Sequence, residues 1–402
     1  MNSAFDVVML LCSAILAVPA LVFTLQCLFG SVLPERHTCQ RGAVPAHTVV
    51  LVPAHDEEHG IGATVAGLVK AVASELCGQG EVIVIADNCS DNTARIAEDA
   101  GAKVLERCDP SRRGKGYAIS FAAEALSGSP PDVVVLVDAD CYMTPGSLEH
   151  LSRLALSTGH PIQADYTISP TADSSVTGGI SGFAIVVKNR VRPRCMRWWN
   201  LPCQLTGSGM AMPYGVLRDA PRTEGNIVED MVLGIELALT GRWPIATAQA
   251  QTKSELPAQR SAAFGQRKRW EHGHLATLFK YAPMLLWRGV MKLSPRLVAM
   301  GLDLAVPPLV LLFLSLLMWG GVCALAATLG MSPWPFWVSL VALGGVLLGA
   351  AVAWMVHGRE VLPLRRLWVV PFYMIWKIPL YLAFFARRGQ REWNRTTRGG
   401  AG

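Results

Sequence analysis

Charged residues make up only 16% of this 402-residue chain, well under the roughly 25% usual for soluble domains. Together with a hydrophobic share of 51% and a mean hydropathy of +0.33, that shortage excludes an ordinary soluble protein. Ten cysteines are present, but no two stand as Cys-x-x-Cys and several lie inside apolar runs. Their scatter indicates neither a disulfide frame nor a zinc site, and leaves reduced, structural thiols as the reading. No Gly-x-Gly-x-x-Gly follows the first predicted strand, which argues against a Rossmann dehydrogenase. Internal repeats and low-complexity segments are missing too. The net charge of +6 is modest, and without a matching fold or motif it argues against a nucleic-acid partner.

Long apolar runs are what the chain has instead. Val7–Phe29 is about as long as a bilayer is thick and carries no charge after Asp6. It is too long for a secretory signal peptide and lacks a basic start and a small-residue cleavage site, so residues 1–33 are expected to be an anchor. Leu304–Leu329 and Phe336–Val356, within 301–357, are two further expected spans, joined by Met331-Ser332-Pro333-Trp334-Pro335. Arg36, His37 and Arg41 follow the first span, and Arg359, Arg365 and Arg366 follow the third. The positive-inside rule therefore puts these flanks, and the middle of the chain, in the cytoplasm of a bacterial-type inner membrane. Residues 276–300 are expected to form interfacial helices. Trp368–Ala386, within 358–402, holds Lys377, Pro371 and Pro379 and precedes Arg387, Arg388 and Arg391. It reads as an interfacial helix, with a fourth span as the competing reading. Lys188, Arg190, Arg192, Arg194 and Arg197, followed by Trp198 and Trp199, read as a basic, aromatic surface for anionic headgroups.

Between the apolar ends, residues 45–275 alternate strands with helices. Thr48–Val52, Glu81–Ala86 and Asp132–Val137 are continuous apolar runs suited to strands buried on both faces, and Lys103–Leu105 is a weaker one. Ile61–Leu76, Asn92–Ala100 and Gly116–Leu126 read as the helices between them, with Ser90 as an N-cap for the second. This rhythm predicts an α/β domain with a mostly parallel sheet and ligands beyond the carboxyl ends of its strands.

Several carboxylates fall at those strand ends, and that much fixed negative charge suits a divalent cation together with a base. The combination points to transfer of a group carried on a diphosphate. Asp138-Ala139-Asp140 ends the strongest strand, and carboxylates at i and i+2 can share one oxygen-coordinated cation. An Asp-x-Asp alone is weak evidence; its position after Val133–Val137 is what favours a cation over a solvated loop. Asp87 could accept hydrogen bonds from a uracil imide or a ribose hydroxyl, while Asp91 is equally a first-turn acid or a ligand contact. Pro53-Ala54-His55-Asp56-Glu57-Glu58 holds the same place after the first strand, where His55 reads as a satisfied polar residue. Arg112-Arg113-Gly114-Lys115-Gly116 is a phosphate-binding turn or a basic surface loop, with equal weight.

Glu229-Asp230 opens the helical run Met231–Leu239. An acid there is often only a cap, but a transferase needs a base that metal-bound aspartates cannot supply. Gly207-Ser208-Gly209-Met210 is a tight backbone for an acceptor sugar, or a plain turn. Gln266-Arg267-Lys268-Arg269-Trp270 joins a planar cation suited to a diphosphate with an indole that can stack on a sugar. A membrane-flanking basic stretch is the duller alternative. Cys141, Glu271, His272 and His274 are read as structural.

As an ordered set these motifs resemble the membrane-bound family 2 glycosyltransferases. That group includes the cellulose, chitin-oligosaccharide, poly-N-acetylglucosamine and hyaluronan synthases and related lipid glycosyltransferases. The likeness extends over nearly the whole chain, to the tail Trp393-Asn394-Arg395-Thr396-Thr397-Arg398. It implies a GT-A fold (a Rossmann-like α/β domain), inversion at the anomeric carbon, nucleotide-sugar donors that are commonly UDP-linked, and Mg²⁺ or Mn²⁺. By the same likeness Asp56 or Glu57 and Asp87 sit near base and ribose, and Asp138 and Asp140 near nucleotide and metal. Asp230 is the base, Glu229 and Lys115 join the substrate-binding set, and Gln266, Arg269 and Trp270 contact diphosphate and acceptor. Asn88 departs from the pattern, since many members have aspartate there, and the C-terminal spans are few. The implied partners are a nucleotide-sugar donor, a saccharide or lipid-linked acceptor, and membrane lipids. Growth of an exopolysaccharide or oligosaccharide is the leading expectation, with single-sugar transfer to a lipid as the alternative. A non-catalytic nucleotide-binding scaffold is the reading from another class, and it has no need of a base such as Asp230.

Overall fold

The computed structural model describes residues 3–36, 47–169, 176–221, 223, 225–255 and 260–386. The predicted features at His37, Arg41, Arg387, Arg388, Arg391 and 393–398 lie outside them. The chain divides into two compact units. One takes the described residues of Met1–Pro34, Ser175–Trp198 and His274–Gly389, and the other those of Glu35–Ser174 and Trp199–Gly273.

The second of these units is an α/β domain on one sheet. Its strands are β1 (Thr48–Ala54), β2 (Gly80–Asp87), β3 (Lys103–Arg107), β4 (Val133–Leu136), β5 (Cys141–Met143), β6 (Ile162–Ser169), β7 (Met210–Pro213) and β8 (Ile245–Glu255). The spatial order is β3-β2-β1-β4-β7-β6-β8-β5. The β3-β2-β1-β4 half is parallel throughout, as is the β6–β8 pair, while β7 and β5 pair antiparallel with their neighbours. The expected α/β architecture with a mostly parallel sheet is therefore present. Val49, Leu51, Val134 and Leu136 are fully buried, which is why these strands appear in the sequence as unbroken apolar runs. Helix Ile61–Glu75 buries Ile61, Val65, Leu68 and Val72 along one stripe. Helix Lys115–Ala125 offers small Ala118 and Ala122 to the core of the sheet, next to Ile83 and Ile85.

The expected cap Ser90 is not one. The helix after β2 runs Thr93–Asp99, and its first turn is served by Asp91, whose Oδ1 accepts from the Thr93 backbone N–H at 3.0 Å. Ser90 instead donates its N–H to Asp56 at 2.6 Å. One residue nearer the helix, the charged carboxylate of Asp91 is the stronger acceptor.

In the other unit, four helices are long and apolar enough to cross a membrane: Ala4–Val32, Leu309–Thr328, Trp334–Gly358 and Leu364–Phe385. The first packs closely on the third. A Cβ added at Gly349 would lie 3.2 Å from both Cys27 Cβ and Thr24 Cα, the backbone proximity that small residues permit between apolar helices. Trp319 Nε1 donates to Ser13 Oγ at 2.8 Å, and Ser13 donates on to the Pro335 carbonyl. Arg192 corrects the expected basic surface. Only 7% exposed, it donates to Gln26 Oε1 and to Asp303 Oδ1, each at 2.7 Å. A buried guanidinium needs a carboxylate and further acceptors, and the fold supplies both.

Candidate functional site

The chain turns sharply after β4. The Cys141 N–H donates to the Asp138 carbonyl at 3.0 Å, closing a turn that leaves both carboxylates at the carboxyl end of the sheet. Thr64 Oγ1 donates to the Ala139 carbonyl at 2.8 Å, and the Asp138 N–H donates to Ser208 Oγ at 3.0 Å. The Asp-Ala-Asp turn is thus tied to a neighbouring helix on one side and to the Gly207–Gly209 segment on the other.

Gly207 marks where the predicted residues converge. It has φ +97°, and a Cβ placed on it would lie 3.1 Å from Asp230 Oδ2, 3.7 Å from Lys115 Nζ and 3.8 Å from Asp138 Oδ2. Glycine is needed there both for the left-handed backbone and for the space. Lys115 is the first residue of its helix, after Gly114 at φ +130°. Its ammonium donates to Asp138 Oδ1 and to the Gly207 carbonyl. Asp230 and Glu229 form the first turn of helix Glu229–Leu239.

Charge is crowded at this spot. Burial pushes the Asp138 carboxyl above its ordinary value, with Lys115 opposing the shift and Asp140 and Asp230 adding to it. Burial works against the Lys115 ammonium, but Asp138, Asp230 and Glu229 outweigh it and hold the pKa above that of an ordinary lysine. Glu229 is pushed up to about 7 by burial and by Asp230, with Lys115 and Arg269 pulling the other way. Gln266, Arg269 and Trp270 stand at i, i+3 and i+4 on helix Arg260–Met291, which puts them on one face. Gly273 continues that face, and a Cβ there would come within 2.5 Å of Val228 Cγ1. The helix is therefore seated directly against the residue that precedes Glu229.

The acid pair suits a divalent cation. One ligand atom from each of Asp138, Asp140 and Cys141 lies within 4.8 Å of the others, and carboxylate oxygens in a crowded anionic site are the ligands Mg²⁺ and Mn²⁺ prefer. Cys141 is buried, with its thiol 3.7 Å from Asp140 Oδ1 and 3.9 Å from the Tyr166 hydroxyl.

The remaining predicted residues sit at the ends of β1 and β2, bonded across to the neighbouring loop or strand. Asp56 Oδ1 accepts from the N–H and hydroxyl of Ser90, and the Glu57 N–H donates to Thr93 Oγ1 at 2.7 Å. Asp87 is buried, and its Oδ1 accepts from Arg107 Nη1 at 2.6 Å and Asn88 Nδ2 at 2.9 Å. The β2–β3 register places Asp87 directly beside Arg107. Arg107 escaped the sequence reading because only strand pairing brings it there. Gly273 escaped it because a helical glycine leaves no motif. His274 is a buried histidine 3.4 Å from the Leu304 carbonyl, and burial with the nearby Lys188 and Arg192 holds it down to about 3.

The sheet is GT-A-like, and a fold by itself does not fix an activity; the family match supplies it. The chain belongs to the glycosyltransferase-like family 2, whose model it matches over residues 45–273. In sequence it is 39% identical over 92 residues to the low-salt glycan biosynthesis hexosyltransferase Agl6 of Haloferax volcanii, a match that takes in 23% of this chain and 20% of that one. The chain thus spans about a fifth of the length of that curated relative. In fold it is similar to the mannosyltransferase PcManGT from Pyrobaculum calidifontis, solved with GDP-Man and Mn²⁺. The TM-score is 0.52 and the identity 16%, over 87% of this chain and 97% of that one.

Proposed function

We propose that this chain is an inverting, metal-dependent glycosyltransferase. It moves a sugar from a nucleotide-sugar donor, UDP-linked, to a growing exopolysaccharide or oligosaccharide at the cytoplasmic face of a bacterial-type inner membrane. The observation that carries this reading is the convergence of Asp138, Lys115 and Asp230 around Gly207. A cation-binding acid, a phosphate-directed ammonium and a third carboxylate, held within a few ångströms, are the parts that a single in-line displacement needs. In this arrangement residues 45–275 carry the chemistry and 1–33 are an anchor. Residues 276–300 lie at the interface, 301–357 hold two spans, and 358–402 add an interfacial or fourth spanning helix and a tail.

Asp230 takes the proton from the acceptor hydroxyl as its oxygen attacks the anomeric carbon from the face opposite the departing nucleotide. Asp138 and Asp140 would hold the divalent cation, whose chemistry there would be to offset charge on the diphosphate. Lys115 and Arg269 stabilise the same developing charge from the protein side. Glu229 and Gln266 position donor and acceptor, and Trp270 offers its ring to a sugar face. Asp56 or Glu57, together with Asp87, serves the nucleoside.

Transfer of one sugar to a lipid-linked acceptor is the second reading. It is favoured by the four candidate spans, which leave little wall for a secretion pore. Purified protein in nanodiscs, given a panel of radiolabelled UDP- and GDP-sugars, separates the readings by mass analysis of lipid-soluble and polymeric products. Asp230→Asn should abolish transfer and leave nucleotide binding nearly intact; full activity in that variant removes Asp230 as the base.

A further inference from the structure

The loops after β1 and β2 bring together an imidazole, a carboxylate and a thiol. One ligand atom from each of His55, Asp56 and Cys89 lies within 4.8 Å of the other two. Cys89 stands more than thirty positions from the adjacent pair His55-Asp56, so no spacing motif announces the set. We propose that they form a second cation site, selective for a borderline-soft divalent ion such as Zn²⁺, that clamps the β1 loop to the β2 loop.

The argument starts with the ring. His55 Nδ1 lies 2.7 Å from the Asp87 carbonyl oxygen. A carbonyl only accepts, so Nδ1 carries the proton, which leaves Nε2 as the ring atom that can ligate. A backbone carbonyl holding one ring nitrogen while the other ligates is the usual support for a metal-bound histidine. Nε2 is 3.8 Å from Asp56 Oδ2, and Cys89 Sγ accepts the Asp56 N–H at 3.4 Å. A tetrahedral zinc holds its ligand atoms about 3.3–3.8 Å apart, by its bond lengths. The nitrogen–oxygen pair at 3.8 Å must close by about 0.4 Å, and a pair at the 4.8 Å limit by about 1 Å or a little more.

The backbone is set for it. Asp56 and Asn88 are both non-glycine residues in the left-handed region, at φ 50° and 54°, a conformation that costs energy and gathers at ligand sites. In that conformation Asp56 gives Oδ1 to Ser90 and turns Oδ2 towards the ring. A nitrogen, a sulfur and a single carboxylate oxygen make a donor set that favours Zn²⁺ over Mg²⁺ or Mn²⁺. On binding, the Cys89 S–H bond, whose proton now points to the Ala54 carbonyl at 3.6 Å, is exchanged for a sulfur–metal bond. The proton leaves to solvent, and no oxidant or reductant is involved.

Cobalt(II) reports on such a site, since a cobalt–thiolate bond gives a near-ultraviolet charge-transfer band. The probe is Co²⁺ added to the full chain in detergent after chelator treatment, in a background with Cys39, Cys77 and Cys108 replaced by serine. The expected result is a thiolate band that Zn²⁺ displaces and Mg²⁺ does not. Cys89→Ser should abolish the band, His55→Gln should weaken Co²⁺ binding about tenfold or more, and Cys141→Ser should leave it unchanged. The proposal is overturned by the lack of a thiolate band in the parent protein, or by a band that survives Cys89→Ser. It is equally overturned by a band lost only in Cys141→Ser, which would put the cobalt at the acid pair.

Discussion

Replacing Gly273 with alanine tests whether the Gln266–Trp270 helix sets the position of the acid turn. The added methyl would lie 2.5 Å from Val228 Cγ1, 3.2 Å from Val228 Cγ2 and 3.4 Å from Ile227 Cγ2. Carbon–carbon contacts are comfortable at about 3.5–4.0 Å, so about 1 Å must open between the helix and Val228. Rotating the valine gives little relief, because a β-branched side chain is stiff at χ1 and its second methyl is crowded as well. Overpacking of this kind costs about 1–3 kcal/mol, and alanine returns up to about 1 kcal/mol of helix propensity over glycine. The net loss of stability is therefore small, from none to about 2 kcal/mol. Catalysis should suffer more. Val228 immediately precedes the Glu229-Asp230 turn, and a displacement of about 1 Å can cost about 10²-fold in rate. The expected outcome is kcat down about 10- to 100-fold, with the unfolding temperature within a few degrees of the parent. Adding Val228→Ala should restore the room and recover most of the rate. Unchanged kcat in Gly273→Ala would refute the link between the two helices.

Other perturbations separate stability from chemistry. Arg107→Ala leaves Asp87 buried without its cation, and removing one partner of such a pair costs about 3–5 kcal/mol; a thermal melt indistinguishable from the parent would show that the pair contributes nothing. Glu229, raised to about 7 from an ordinary 4.5, should make the metal-free protein pH-sensitive. Between those values the folded chain keeps a proton that the unfolded chain has released, so stability falls as pH rises through the window. Glu229→Gln should flatten that slope in denaturant titrations at pH 5 and pH 7, and an unaltered slope rejects the assignment. Asp140→Ala should weaken donor binding in a metal-dependent way, and equal nucleotide affinity with and without Mn²⁺ in the parent would contradict a role for the pair.

The parallel half of the sheet was legible because β1, β2 and β4 are buried on both faces, and burial of that kind writes itself as unbroken Val, Ile and Leu. The strands β5 to β8 were not read. The polar Gln163, Asp165 and Thr167 of β6 and the mere four residues of β7 give no such run, and their pairing depends on tertiary context. The acid pair, Lys115 and Asp230 could be picked out because each stands at the end or start of an element whose type the apolar pattern reveals. Their shared neighbourhood at Gly207 could not, since it joins segments near positions 115, 138, 207 and 230. Arg192 was misread for a related reason. A run of basic residues on paper is a surface, and only the fold shows that Asp303 and Gln26 draw one of them inside.

The same buried guanidinium limits how this enzyme can be simplified. The N-terminal helix is not a detachable tether, because Gln26 supplies one of the acceptors around Arg192 and Thr24 and Cys27 fill the notch at Gly349. Cutting off that helix in search of a water-soluble form would strip a partner from an interior charge and uncover a greasy seam in one stroke. Any such trimmed protein is better sought by redesigning both faces than by shortening the gene.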